Sequence, residues 1–162
     1  MYLLDADVLI QAKNLHYGFD IAPGFWDWIL DAHSRRQVYT VEQIKQEIDR
    51  GQDELTDWLG RTAPASFVLP YEAADQGPLS RLMSWATGYG FNPAAVSKFS
   101  GSGDLFLVAK AAARGWTVIS HETQADPNAK VRVKIPNACL EVGVDCIGLF
   151  EAMRRGGVVL HL

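Results

Sequence analysis

The sequence predicts an α/β fold with a central, mostly parallel sheet flanked by helices. Short apolar runs of strand length recur at Tyr2–Leu4, Val38–Thr40 and Trp116–Ser120, and stretches of helical periodicity separate them. The first and last of these runs lead into acidic residues, Asp5 and Glu122, and open parallel sheets place ligands beyond the carboxyl ends of their strands. The 162 residues suffice for one domain with a proper core, and no repeat, low-complexity tract or linker divides positions 1–162.

Tyr2, Leu3 and Leu4 are too short a run to span a membrane and suit a buried parallel strand. Val8 to Lys13 follows as a short helix, and Asn14 to Gly24 as an irregular loop broken by Gly18, Pro23 and Gly24. Phe25 to Arg36 is helical. Phe25, Trp26, Ile29, Leu30 and His33 share a core-facing stripe, while Trp28 falls off it and is the better candidate for a partner surface. Thr40 ends the second strand, placed to cap a helix in which Val41, Ile44 and Ile48 are the apolar positions, Glu47 lies at their edge and Gly51 is the C-cap.

Further helices are expected over Asp53 to Arg61, Leu79 to Thr87 and Pro93 to Phe99, with a short strand or extended loop at Phe67 to Leu69. Ser100 to Gly103 enters the strongest helical signal, Asp104 to Arg114, for which Ser102 or Asp104 could serve as cap and Gly115 as stop. Lys130 to Ile135 alternates. That pattern predicts a strand with Val131, Val133 and Ile135 on one side and Lys130, Arg132 and Lys134 on the other. Helices near Ala138–Val142 and Leu149–Arg155, with an extended piece at Asp145–Ile147, complete the chain.

Composition excludes some function classes. The 15 Lys and Arg against 19 Asp and Glu leave a net charge of −4, which argues against a protein that coats nucleic acid. It is compatible with an acidic site whose divalent cation supplies the positive charge a phosphate needs. No signal-peptide pattern and no apolar run of membrane-spanning length is present, so a cytoplasmic protein without membrane contact is expected. Cys139 and Cys146 lack companions at zinc spacing and are expected as buried reduced thiols; His16, His33 and His161 also lack companions that suggest ligation.

Four acids occupy comparable places: Asp5 after the first strand, Glu47 on a helix edge, Asp104 at a helix start and Glu122 after a later strand. In a parallel sheet all strand-to-helix junctions lie on one edge, so these carboxylates can meet there. Crowded carboxylates oppose each other's ionisation unless a cation joins them, and Mg²⁺ or Mn²⁺ suits such oxygen donors. Asp5 or Asp7 is equally read as a helix cap, and Thr40 as a cap or as a partner of Asp5.

These stretches resemble PIN-domain ribonucleases. Tyr2 to Ile10 (YLLDADVLI) is similar to the family's opening motif, Val38 to Ile48 (VYTVEQIKQEI) to its second, and Gly103 to Ser120 (GDLFLVAKAAARGWTVIS) to its third; Gly24–Trp28 and Lys134–Cys139 extend the likeness to an uncharacterised PIN-like subfamily of bacteria and archaea. The resemblance implies a three-layer PIN-like fold and a metal site of Asp5, Glu47, Asp104 and Glu122, supported by Asp7, Thr40, Ser120 and His121. It further implies Mg²⁺- or Mn²⁺-dependent hydrolysis of RNA to 5′-phosphate and 3′-hydroxyl ends, and a toxin paired with an antitoxin protein; a homodimer is compatible with it. The chain departs from the pattern at Ser120-His121-Glu122, where Asp is usual at the third position, and Glu42 rivals Glu47.

Lys130, Arg132 and Lys134 are candidate RNA contacts, or charges that protect an edge strand from aggregation. His121 is a candidate for proton transfer, or an exposed loop residue. Asp5-Ala6-Asp7 also resembles the nucleophile and acid pair of haloacid-dehalogenase-type phosphatases, although the Gly-Thr usual after that pair is missing. A non-catalytic PIN-like interaction module is the third reading.

Overall fold

The structure, a computed structural model, describes residues 1–124 and 126–160. The expectation for His161 therefore lies outside the described residues. Strands β1 (Tyr2–Leu4), β2 (Val38–Val41), β3 (Val68–Leu69), β4 (Thr117–Ile119) and β5 (Cys146–Ile147) form one sheet in the order β3-β2-β1-β4-β5. Every pairing is parallel, with Leu3 opposite Tyr39 and Leu4 opposite Ile119. The chain runs outward from β1 to β2 and β3, then returns to add β4 and β5 on the other side. The order thus reverses between β1 and β4, which opens a crevice at their carboxyl ends.

Helices α1 (Ala6–Gln11), α2 (Pro23–Ser34), α3 (Glu42–Asp49), α4 (Glu54–Asp57), α5 (Gln76–Gly88), α6 (Pro93–Ser100), α7 (Gly103–Arg114), α8 (Ile135–Val142) and α9 (Leu149–Arg155) flank the sheet. α7 packs against β1, β2 and β4 and also touches α3, α5 and α8, while α2 packs against β2. Its apolar face, with Leu105, Leu107, Val108 and Ala111 buried, explains why this segment has the clearest helical signal. Gly115 ends α7 in the left-handed conformation (φ +66°), where a side chain would be strained.

The aromatic stripe of α2 is core as expected: Phe25, Trp26 and Ile29 are buried. Trp28 is only partly exposed, packs against the core and sits with its ring 5.5 Å from Phe25, so it is less free than its position off the stripe suggested. His33 is structural. Its ring nitrogens lie 3.0 Å from the Val38 carbonyl and 2.9 Å from Ser66 Oγ, bridging α2 to β2 and to the turn before β3.

Three local expectations are corrected. Residues Asn14–His16 are not loop: with Ala12 and Lys13 they form one wide helical turn continuing α1, closed by Tyr17 N donating to Ala12 O, and α2 begins at Pro23. Arg50, rather than Gly51, is the C-cap of α3. Most consequentially, Lys130–Ile135 forms no strand: β5 already occupies the edge beside β4, leaving no ladder for this segment to join. It is instead held at points, by Asn92 N donating to Lys130 O and by Ile135 starting α8. Val131 is 77% exposed while Val133 is buried, so the alternating apolar face does not exist.

Lys110, in the middle of α7, is 1% exposed. Its ammonium lies 2.6 Å from Asp75 Oδ2 and 2.9 Å from Glu72 Oε2, and donates to Pro70 O at 2.8 Å. This cluster ties α7 to the turn that starts α5. Removing one member of a buried pair strands the other charge, so Lys110→Ala is expected to lose about 3–5 kcal/mol of stability in urea unfolding. Lys110→Met combined with Asp75→Asn should recover much of that loss.

Candidate active site

Asp5 follows β1 directly and occupies the N-cap position of α1, yet its side chain makes no capping bond. The helix-cap reading of Asp5 therefore fails. The carboxylate is 3% exposed, and Oδ2 accepts from Ser120 Oγ at 3.0 Å, a partner supplied by the residue that follows β4. The parallel register causes this meeting: Leu4 pairs with Ile119, and Asp5 N donates to Ile119 O at 3.1 Å. Burial, followed by the charges of Asp104 and Asp7, holds the proton affinity of Asp5 well above the usual carboxylate range.

Asp104 lies in the first turn of α7. Burial and then the charges of Glu122 and Glu47 push its pKa up to about 7, against the opposing influence of Arg132. Ser102 occupies the N-cap position of α7, but its side chain makes no capping bond, and Asp104 lies inside the first turn. Ser102 Oγ donates to Phe99 O, and the open N–H of Gly103 is taken instead by Glu47 Oε1 at 2.6 Å. Glu47 thus stands at the head of α7, its charge felt by Asp104. Its rival Glu42 is spent elsewhere, accepting from Tyr71 N and Gln43 Nε2.

This approach of α3 to α7 requires Gly103. A Cβ there would come within 2.7 Å of Ile44 Cδ1 and 3.1 Å of Glu47 Oε1. Ile44 is fully buried, so any shift of its side chain has to be made against close-packed neighbours. Gly103→Ala is therefore expected to lose about 1–3 kcal/mol of stability by thermal or urea unfolding, and to weaken the hold of Glu47 on the head of α7.

Glu122 has a different role from the other acids. Oε1 is bound by the Arg132 guanidinium, Oε2 accepts from Ile135 N at 2.8 Å, and the side chain is 8% exposed. Glu122 N in turn donates to Ser120 Oγ, linking this corner to Asp5. Asp7 is exposed in the first turn of α1, and its charge reaches Asp5, Asp104 and His121.

Thr40 is fully buried and donates to Leu4 O at 2.8 Å, and the N-cap position of α3 is held by Val41 rather than Thr40. The Thr40 bond pins β2 to the end of β1 and so fixes the peptide that carries Asp5. His121 is half-buried rather than exposed, and among the described residues its Nε2 has no hydrogen-bond partner. Burial and the neighbouring His16 lower its pKa. The predicted basic row is split. Lys130 Nζ sits 3.5 Å above the Tyr89 ring centroid, Arg132 is on Glu122, and Lys134 is the N-cap residue of α8.

A cavity of about 140 Å³ is bordered by Ser102, Asp104 and Arg132, and another of about 500 Å³ by Ser120, His121 and Glu122. A further cavity, about 550 Å³ between α2 and residues 156–160, contains none of these acids. Lys110 and the dependence of Asp104 on Arg132 were missed in the sequence. A lysine within an apolar helix face was the available signal for the first.

Among the described residues no three His, Cys, Asp or Glu side chains form a ready-made ligand cage. Two of the acids nevertheless fit a hard divalent cation: burial holds both Asp5 and Asp104 above the usual carboxylate range, the charge of Asp104 adds to the shift of Asp5, and Asp5 bonds a neutral hydroxyl rather than a basic group. Mg²⁺ commonly keeps several waters and binds through only one or two carboxylates. Glu122, with both oxygens engaged, does not fit a direct ligand in this arrangement.

The fold is PIN-like. It is similar to the crystal structure of FitAcB from Neisseria gonorrhoeae, with a TM-score of 0.57 and 18% identity over 91% of this chain and 96% of that one. FitAB bound to an IR36 DNA fragment has a TM-score of 0.57 and 16% identity, covering 91% and 94% of the two chains. VapBC2 from Rickettsia felis, bound to a DNA fragment from its promoter, has a TM-score of 0.52 and 13% identity, covering 75% and 87%. Comparison with curated protein sequences gives no match. Residues 2–160 match the family described as a domain of unknown function, DUF4411, and the chain belongs to that family.

The raised pKa of Asp104 has a consequence for stability. An acid whose folded pKa lies above its unfolded value favours the folded state below the unfolded pKa, near 4, and loses that contribution as pH rises through about 7. Without divalent cations, Asp104→Asn is therefore expected to be more stable than the parent at pH 8, on the order of 2 kcal/mol, with the difference shrinking toward pH 4. Urea midpoints measured across that range check this.

Proposed function

We propose that this chain is a divalent-metal-dependent ribonuclease acting as the toxin of a toxin–antitoxin pair. The observation that carries the reading is the buried Asp5 at the β1–β4 crevice, facing the charge of Asp104 and bonded to neutral Ser120. Asp5 and Asp104 would hold Mg²⁺ or Mn²⁺, with Glu47 at the rim of the site. Once bound, the cation supplies Lewis acidity that activates water and offsets phosphate charge. Ser120 and Thr40 fix Asp5 through its carboxylate and its backbone, and Glu122 acts through Arg132, whose guanidinium is half exposed beside Asp104 and suited to a phosphate. Lys134 is a further RNA contact in this reading, while Lys130 is already engaged by the Tyr89 and Phe91 rings. Products would carry 5′-phosphate and 3′-hydroxyl ends.

The likeness to FitAB and VapBC2 assemblies supports an antitoxin protein as partner. DNA attraction by such an assembly would come from the partner, because this chain carries a net charge of −4.

Incubation of a mixed RNA pool with purified protein and Mg²⁺, Mn²⁺ or chelator tests the reading. Metal-dependent cleavage is expected, and Asp5→Asn should lower it at least about a hundredfold with the fold retained. Equal cleavage by Asp5→Asn, or cleavage unaffected by chelator, would overturn the assignment.

A further inference from the structure

Three aromatic rings gather at the C-terminal end of α5, outside the acidic crevice. Tyr89, the C-cap of α5, is 43% exposed. Gly90 takes the left-handed conformation (φ +93°) and turns the chain so that the Phe91 ring stands 5.4 Å from that of Tyr89. Trp85, one turn earlier on α5, lies 5.6 Å from Tyr89 and 5.5 Å from Phe91. Lys130 Nζ rests 3.5 Å from the Tyr89 centroid, and Asn92 N donates to Lys130 O at 3.0 Å, so the cluster is also held from the 130–135 segment.

Trp85 and Tyr89 are walls of an open cavity of about 400 Å³, completed by Arg81 and Ser84 of α5 and Glu141 of α8. Arg81 Nη2 donates to Glu141 O at 2.6 Å, which anchors the guanidinium on the last turn of α8. Its Nε stands 3.5 Å from Glu141 Oε1, beyond the about 3.2 Å reached by an N–H···O bond, so the carboxylate can still accept from a ligand. Aromatic walls suit a flat base, and a carboxylate selects a base edge with two adjacent N–H donors. Among the four RNA bases guanine alone has that edge, in its N1–H and its 2-amino group. We infer that this cavity is a guanine-selective base site for single-stranded RNA, an inference that rests on RNA being the substrate.

Two features join the cavity to the crevice. Arg132, two residues beyond Lys130, binds Glu122 and borders a cavity with Asp104, so about 7 Å of backbone separates the residue on the rings from the one beside Asp104. The second is α8. Glu122 Oε2 accepts from Ile135 N at its start, and Glu141 lies about 9 Å further along the helix. A strand whose guanine fills the cavity thus has its neighbouring nucleotides within reach of Asp5 and Asp104. Stacking on the rings supplies affinity for any base, and the Glu141 carboxylate supplies the choice.

The full parent chain, in chelator, is titrated with fluorescein-labelled uridine pentamers carrying guanine, hypoxanthine or adenine at the centre, followed by anisotropy. Guanine is expected to bind at least about tenfold tighter than adenine, with hypoxanthine between them because it keeps N1–H and lacks the amino group. Glu141→Gln should bring guanine and adenine within about twofold, since an amide accepts fewer bonds and also donates. Tyr89→Ala should weaken all three about tenfold. No saturable binding, equal binding of the guanine and adenine pentamers, or a guanine preference that survives in Glu141→Gln would overturn the inference. Unchanged binding by Tyr89→Ala would overturn it too and assign the rings to a protein contact. The parent-chain comparison stands even where a variant does not fold. Cleavage plays no part in these readings: guanine preference without metal-dependent cutting would keep the base site and refute the ribonuclease, and cutting without the preference would do the reverse.

Discussion

The burial of Asp5 at the end of β1 is the constraint on which the rest of this crevice depends. A carboxylate withdrawn from water is costly, and here the direct compensation is a single hydroxyl, Ser120 Oγ, from the residue after β4. That arrangement exists because β1 and β4 are parallel neighbours in register, with Asp5 N bonded to Ile119 O. Thr40 fixes the same peptide from the other side through Leu4 O. Asp5 is thus held by three strands while its charge remains unneutralised.

The surrounding acids divide by what their oxygens already touch. Asp104 shares the strain of Asp5, with a raised pKa and no cation bound to it beyond the influence of Arg132. Glu47 has given one oxygen to the head of α7, and its contact depends on a glycine at 103. Glu122 has given both oxygens, to Arg132 and to the start of α8. Where a shorter Asp is usual in the resembled family, the longer Glu here becomes an anchor for a guanidinium and a helix. The site therefore joins a carboxylate pair of high proton affinity to a rim cation, a combination that suits a metal and a phosphate together.

Asp5 and Asp104 work against stability, and the same fold compensates elsewhere. Lys110 is neutralised inside the helix layer by Asp75 and Glu72, joining α7 to the segment before α5. α7 consequently has its middle fixed by a salt-bridged core and its N-terminus presented to the crevice. The difference between the two places is pairing rather than burial: a buried charge with partners ties elements together, and one without them is available for a ligand.

The sequence by itself determined the strand runs of β1, β2 and β4, the core face of α7 and the candidacy of Asp5 and Asp104, because periodicity and helix or strand ends are local properties. The parallel α/β class followed from their alternation. Only the tertiary structure decided which groups meet. It joined Ser120 to Asp5 across 115 positions, turned Thr40 to a strand carbonyl, and spent Glu122 on Arg132. It also removed the strand expected at Lys130–Ile135, since β5 filled the edge that this alternating segment would have needed. A residue's chemistry and period can be read from its neighbours in the chain, but its hydrogen-bond partner is set by sheet order and register, which no local pattern contains.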